Sequence, residues 1–148
     1  RIAGAIIAAR EAQPIETTLQ LAAIVKAAHP RWDKHKHPAT RTFQALRMAV
    51  NDELGDLDLL LERVVDCLTP GGRLVIISFH SLEDRRVKRF MRAASQGPVV
   101  PRGVPIQGQQ ANGPLRLVGK AIKPDLSEVT QNVRARSAVL RIAERRTP

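Results

Sequence analysis

Apolar and polar residues follow helical spacing in the first part of the chain. Residues 1–11 are mostly apolar and predict one short helix. Thr17, with Gln20 three residues later, forms a capping-box pattern and predicts the start of a second helix. The proline after His29 is expected to end that helix. The chain is therefore predicted to begin with two short helices.

A longer amphipathic pattern begins at Pro38. Apolar residues recur at steps of three and four as far as Leu68, which predicts helix over most of this stretch. Gly55 and Asp56 are expected to kink or split the helix, and the Thr-Pro-Gly-Gly sequence from Thr69 is expected to stop it.

The segment from Pro70 to Arg85 is the most informative one. A Pro-Gly-Gly turn leads into an apolar run at residues 73–79, which predicts a strand. A continuous apolar strand between helices is typical of a strand buried on both faces of an α/β sheet. Ligands of such sheets bind beyond the carboxyl ends of the strands, so chemistry or substrate contact is expected at this end. The polar residues there are Ser78, His80, Ser81 and Glu83.

The remainder of the chain predicts a helix, a loop and two strands. A basic helix is expected directly after the strand, with Ser81 as its cap. Residues 95–114 are rich in Gly, Pro and Gln and predict a long loop. Residues 115–122 and 137–143 alternate well enough to predict an antiparallel pair of strands that closes the sheet.

Charge changes this picture more than any other compositional feature. The formal net charge is +10, and arginines cluster at residues 85–92 and 134–146. Such an excess favours a polyanionic partner, with nucleic acid as the first candidate. The alternative is a basic surface with no specific partner. Aromatic residues make up only 3%, which argues against a base-stacking platform.

Two further features of the sequence bear on the cellular compartment of the protein. The single Cys67 cannot form an internal disulfide, and its apolar surroundings predict a buried thiol, which fits a reducing cytoplasm. No apolar run approaches the ~20 residues that a membrane-spanning helix needs. A cytoplasmic location without membrane association is therefore expected.

A second dense polar segment runs from His37 to Arg47. Thr40 and Arg41 lie near a predicted helix N-terminus, where backbone N–H groups also attract phosphate. One interpretation is a phosphate or RNA clamp, and the other is a capped, solvated helix start. The local chemistry favours neither.

Two other kinds of site are disfavoured. The spacing of His29, His35 and His37 matches no strong zinc pattern, and no second cysteine is present. His80 and Ser81 could be a base and a nucleophile, but the chain has no G-x-S-x-G turn, and neighbouring residues rarely point together.

Taken together, these segments resemble the bacterial small-subunit (16S) ribosomal RNA cytosine-N4 methyltransferases, which use S-adenosylmethionine. The order and spacing of the motifs agree across nearly the whole chain. Val133 departs from the family, which usually has Pro in that Asn-Pro-Arg-Ala-Arg-Ser run. The matching segments are residues 37–47, 70–74, 78–85, 87–91 and 134–138.

The resemblance implies an α/β fold: the C-terminal half of a Rossmann-like class I methyltransferase fold, with part of an inserted helical subdomain. Residues 1–50 would be a remnant of that substrate-recognition subdomain, and residues 51–148 the C-terminal part of the methyltransferase domain. The family's Gly-rich loop and its acidic ribose-binding residue have no match here. The chain is therefore expected to be a fragment that holds no cofactor-binding residue and is inactive by itself.

For the parent protein, the resemblance implies methyl transfer from S-adenosylmethionine to N4 of a decoding-centre cytosine. The amine is a poor nucleophile, so catalysis should depend on in-line positioning and on hydrogen bonds to the amine. We expect His80 and Glu83 to be catalytic and to line the substrate side of the pocket, and we expect no metal. The residues expected to bind RNA are His37, Thr40, Arg41, Arg85, Lys88, Arg134 and Arg136.

The implied partner is 16S rRNA in the small ribosomal subunit, with a homodimer left open. An alternative function is a non-catalytic, basic module that binds RNA or the ribosome. A hydrolase is a distant third possibility.

Overall fold

The computed structural model describes residues 1–29, 37–96 and 112–147. The chain divides into two units, Arg1–Glu53 and Leu54–Pro148, and each is described by itself. His35 and most of the predicted 95–114 loop lie outside the described residues. No helix among the described residues is long and apolar enough to cross a membrane.

The first unit is helical. It contains α1 (Ile2–Ala12), α2 (Thr18–Ala28) and α3 (Thr40–Val50). The predicted capping box at the start of α2 is confirmed: Thr17 Oγ1 accepts from the Gln20 N–H at 3.2 Å, and Gln20 Oε1 accepts from the Thr17 N–H at 2.9 Å. Helices α1 and α2 pack together, and Val25 is fully buried.

The long amphipathic pattern forms two helices. Helix α3 ends at Val50 and α4 spans Glu53–Cys67, so Gly55, the expected break point, lies inside α4. The break falls at Asn51 and Asp52, and Asp52 has a φ of 48°. Asn and Asp adopt this left-handed conformation more readily than other residues with a side chain, which explains why the helix ends there.

The second unit continues from α4 with three strands and shorter helices. Its three-stranded sheet has the order β1-β3-β2, and both pairings are antiparallel. The expected antiparallel pair is thus present, but β2 stops early, and only an isolated bridge between Ile122 and Leu140 follows it. Helix α6 was not predicted. The elements after α4 are β1 (Arg73–Ser78), α5 (Ser81–Ser95), β2 (Leu115–Leu117), α6 (Leu126–Gln131), a 3₁₀ helix (Val133–Ser137) and β3 (Val139–Arg145).

The core lies on one face of this sheet. Leu74 of β1 lies opposite Ala143 of β3, and both contribute to a buried cluster with residues of α4 and α5. Leu115 of β2 is fully buried in the same cluster. The other members of the cluster are Val64, Val87 and Met91.

The expectation that β1 is buried on both faces is wrong for the described residues. Val75 and Ile77 alternate with the buried Leu74 and Ser78, and each is 53% exposed. The reason is that α4 and α5 both contribute to the cluster on the Leu74 face. The opposite face of β1 is therefore apolar and half exposed.

The Pro-Gly-Gly segment before β1 is a tight turn, as predicted. Gly71 has a φ of 77°, and its N–H donates to the Arg145 carbonyl at 2.9 Å. A Cβ on Gly72 would lie 2.8 Å from the Thr69 carbonyl oxygen, so this position needs glycine for space. Cys67, expected to be buried, is exposed at the end of α4.

Candidate functional site

The turn between β1 and α5 is built around the side chains of His80 and Glu83. His80 is the N-cap of α5, and its Nδ1 accepts from the Glu83 N–H at 3.3 Å. Glu83 Oε2 accepts from the N–H groups of Phe79 and His80, at 2.9 and 3.2 Å. The expectation that Ser81 caps the helix is therefore wrong, because an imidazole performs that function.

The second nitrogen of His80 is in an unusual position. Its Nε2 is buried and lies 3.3 Å from Glu83 Oε1, but it has no hydrogen bond of acceptable geometry among the described residues. Because Nδ1 accepts a hydrogen bond, the neutral imidazole carries its proton on Nε2. The turn thus holds a buried N–H donor without an aligned acceptor, next to a carboxylate that already binds two backbone donors.

Helix α5 carries the first arginine cluster, and its charged residues divide into two groups. Arg86 Nε lies 3.1 Å from Asp58 of α4, and Asp84 accepts two hydrogen bonds from Arg141 of β3, at 2.7 and 3.0 Å. The hydrogen bond from Arg141 lowers the pKa of the Asp84 carboxyl, although partial burial opposes the shift. Arg85 is exposed and has no side-chain hydrogen bond or ion pair with any described residue.

The second arginine cluster divides in the same way. Arg145 donates to the carbonyls of Val65 and Leu68, and Arg146 donates to the Leu115 carbonyl, so both hold the fold together. Arg134 and Arg136 lie on the 3₁₀ helix and are exposed. Neither side chain makes an ion pair within the described part of the chain.

The segment at the start of α3 belongs to the first unit. His37 Nδ1 accepts from the Ala39 N–H at 3.2 Å, and the Thr40 hydroxyl donates to the His37 carbonyl at 2.8 Å. Arg41 is exposed, and its side chain has no partner among the described residues. His37 and Thr40 therefore form the turn into α3, and the arginine beside them is available for a ligand.

A groove with a volume of about 400 Å³ lies between α5 and the paired strands β2 and β3, with the segment that follows β2. Met91 and Leu117 contribute its apolar part, and four cations line it. Of these, only Lys88 was among the expected RNA-binding residues. Arg92 was not among the expected residues, although it occurs in the same basic helix. Lys120 gave no signal in the sequence, because it reaches the groove only through the long-range pairing of β2 with β3. The four cations are Lys88, Arg92, Lys120 and Arg141.

Residues 1–146 match the model of the MraW methylase family. The chain belongs to this family. The expected resemblance to bacterial small-subunit rRNA methyltransferases is confirmed, since similar proteins carry the name "Ribosomal RNA small subunit methyltransferase H".

Three relatives with that name show how far the similarity extends. The protein from Legionella pneumophila (strain Paris) is 59% identical over 145 residues, covering 98% of this chain and 47% of the relative. The Halorhodospira halophila protein is 59% identical over 146 residues, covering 98% and 45%. The Marinomonas protein is 55% identical over 145 residues, covering 98% and 46%. The chain thus spans about half the length of the curated relatives that it matches.

Proposed function

We propose that this chain is part of an S-adenosylmethionine-dependent methyltransferase that modifies N4 of a decoding-centre cytosine in 16S rRNA. The observation that carries the proposal is the 59% identity, over 98% of the chain, to a protein named as a small-subunit rRNA methyltransferase. The basic side chains without protein partners support an RNA substrate, because they can neutralise phosphates.

Within this proposal, the N-terminal and C-terminal parts of the chain have different functions. Residues 1–50 belong to a helical substrate-recognition subdomain, and residues 51–148 to the methyltransferase domain. His37, Thr40 and Arg41 position the RNA, and Arg85, Lys88, Arg134 and Arg136 contact phosphates. His80 and Glu83 lie on the substrate side, where the Nε2–H of His80 offers a buried donor.

The described residues do not fit a complete site for S-adenosylmethionine. The turn between β1 and α5 contains no glycine, and its N–H groups at Phe79, His80 and Glu83 are already bonded to side chains. These three N–H groups are therefore not available to a ligand. We assign cofactor binding to a part of the enzyme that this chain does not contain.

The sheet supports an extended, Rossmann-like domain. β1 pairs only with β3, so its other edge has no strand partner among the described residues. The apolar face at Val75 and Ile77 is half exposed beside that edge. Further strands and a covering layer from the remaining half of the enzyme would satisfy both features.

A second candidate function is a non-catalytic RNA-binding module. The observation that favours it is the exposed basic side chains without protein partners, such as Arg85 and Arg134, since the described residues offer RNA-binding charge without a Gly-rich cofactor loop. In this case the chain would bind RNA, but no methyl transfer would accompany binding even in the longer protein.

A methyl-transfer assay on the full-length protein tests the proposal. The protein is incubated with unmethylated small-subunit RNA and methyl-labelled S-adenosylmethionine, and the RNA is then digested to nucleosides. We expect label in N4-methylcytidine at one decoding-centre position. Label in another nucleoside would contradict the N4 assignment, and RNA binding without label would favour the non-catalytic module.

A further inference from the structure

We propose that the groove between α5 and the paired strands β2 and β3 binds one single-stranded nucleotide of the RNA. In this arrangement the base lies on the apolar part of the groove and the phosphates lie against its cationic rim. The inference rests on the proposed function only in taking RNA as the ligand, and it assigns RNA contacts to Arg92 and Lys120.

The first argument is charge. Lys88, Arg92 and Lys120 approach one groove, and among the described residues that line it there is no carboxylate. The remaining cation, Arg141, is already neutralised by Asp84. Three like charges around one groove repel one another, and an anion placed between them relieves that repulsion.

The second argument is shape. A volume of about 400 Å³ lies within the range of small-ligand sites, which is roughly 300–1,000 Å³. Met91, Leu117 and Ala121 give the groove an apolar part. An apolar wall with a charged rim suits a nucleotide, which combines a flat base with a charged phosphate.

The third argument is that the segment carrying Lys120 is held at both ends. The Val118 N–H donates to the Ile142 carbonyl at 3.0 Å, and the Ile122 N–H donates to the Leu140 carbonyl at 2.9 Å. Between them, Gly119 makes the turn with a φ of 69°. Lys120 and Ala121 are thus presented to the groove by a fixed segment, which reduces the ordering cost of binding.

Binding of a fluorescent single-stranded RNA oligonucleotide to the 148-residue chain tests the inference. Two variants carry the same change in net charge: Arg92→Gln with Lys120→Gln in the groove, and Arg63→Gln with Arg89→Gln outside it. We expect the groove variant to weaken binding at least tenfold. The slope of its plot of log affinity against log salt concentration should be smaller in magnitude by about 1.4, which corresponds to ~0.7 for each lost phosphate contact. The outside pair should change affinity less than threefold. Equal losses from the two variants would overturn the inference.

Two further measurements test the apolar part of the groove. Ala121→Phe fills the groove without changing charge, so it should weaken binding several-fold and leave the salt slope unchanged. An oligonucleotide without bases should bind the parent chain more weakly than the intact RNA. Parent-like affinity of Ala121→Phe, or equal binding of the abasic strand, would show a general polyanion surface and overturn the nucleotide site.

The experiments distinguish an error in assigning the groove as an RNA site from an error in the proposed enzymatic function. If methyl transfer is absent but the groove variants behave as expected, the chain is an RNA-binding module with this nucleotide site. If methyl transfer occurs and the groove variants bind RNA like the parent, the enzymatic function stands and the groove is not an RNA site. Thermal melting of each variant, monitored by circular dichroism, ensures that only folded protein is compared.

Discussion

At the scale of single residues, His80 has both a structural function and a proposed catalytic function. Its Nδ1 caps α5, while its Nε2 is buried without an aligned acceptor. The capping function alone would be available to Asn, which is among the preferred N-cap residues. The two nitrogens can therefore be tested separately by comparing substitutions that keep or remove the cap.

In the full-length enzyme, His80→Asn should keep the melting temperature close to that of the parent and lower turnover by roughly tenfold to a hundredfold, at about 1.4 kcal/mol per decade. His80→Ala should also lose the cap, which costs about 0.5–2 kcal/mol of unfolding free energy. Ser81→Ala serves as the control, because that exposed side chain has no hydrogen bond with any described residue and does not cap the helix. Normal turnover of His80→Asn would leave His80 with a structural function only.

Gly71 offers a test of the turn before β1. Its φ of 77° is costly for any residue with a side chain, so Gly71→Ala should lower the unfolding free energy by about 1–2 kcal/mol. Gly4→Ala is the matched control: it lies inside α1 with open space around it, so Ala should be neutral or stabilising by up to ~1 kcal/mol. Urea denaturation of both variants measures the difference. A Gly71→Ala variant as stable as the parent would contradict the left-handed turn.

At the scale of elements, one ion pair attaches α5 to the sheet. Both carboxylate oxygens of Asp84, in the first turn of α5, bind the guanidinium of Arg141 on β3. Each side chain is only about one-fifth exposed. A bidentate pair of this kind fixes orientation as well as distance, so it helps to set the angle at which α5 crosses the strands.

This pair makes stability depend on pH. The lowered pKa of Asp84 means that its contribution is complete above the unfolded-state pKa, near 3.9, and is lost as the pH falls through the lower pKa of the folded state. Asp84→Asn should therefore lower the unfolding free energy by about 1–3 kcal/mol at pH 7 and make the decline below pH 4 shallower. Asp66→Asn, on an exposed residue of α4, is the control. Identical acid unfolding of Asp84→Asn and the parent would rule out this contribution.

At the scale of the whole molecule, the basic residues behind the net charge of +10 fall into two groups with different functions. Arg86, Arg141 and Arg145 bind protein groups and contribute to the fold. Other basic residues, such as Arg85 and Arg134, are exposed without such partners among the described residues. Among the described residues, this second group is the one that can neutralise phosphates, so fewer of their charges contribute to RNA affinity than the composition suggests.

The chain by itself should not bind S-adenosylmethionine measurably. Its sequence contains no Gly-x-Gly segment, and the N–H groups of Phe79 and Glu83, around the start of α5, already bind side chains. Isothermal titration calorimetry should show no saturable heat with the chain, whereas the full-length protein serves as the positive control. A low-micromolar site on the chain alone would place cofactor contacts within these residues and overturn this assignment.

Local signals predicted the helices and the turn because their causes lie close together in sequence. The Thr17–Gln20 capping box and the Pro-Gly-Gly turn each depend on only three or four neighbouring residues. Helix α6 was missed although Asp125 followed by Glu128 was a usable start signal, and Asp125 does accept from the Glu128 N–H at 2.8 Å. The capping function of His80 was missed because Ser is the commoner choice at such a position.

By itself, the sequence determined the family, the basic character, most helices and the antiparallel closing strands, since motif order and periodicity are properties of the chain. Only the tertiary structure decided which arginines remain available for RNA, because ion pairs such as Asp84 with Arg141 join residues that are 57 positions apart. It also decided that one face of β1 is exposed, because an apolar strand has the same sequence pattern whether helices cover one of its faces or both. The groove depends on the same long-range packing, which brings Lys120, in the segment after β2, to the same groove as Arg92 on α5.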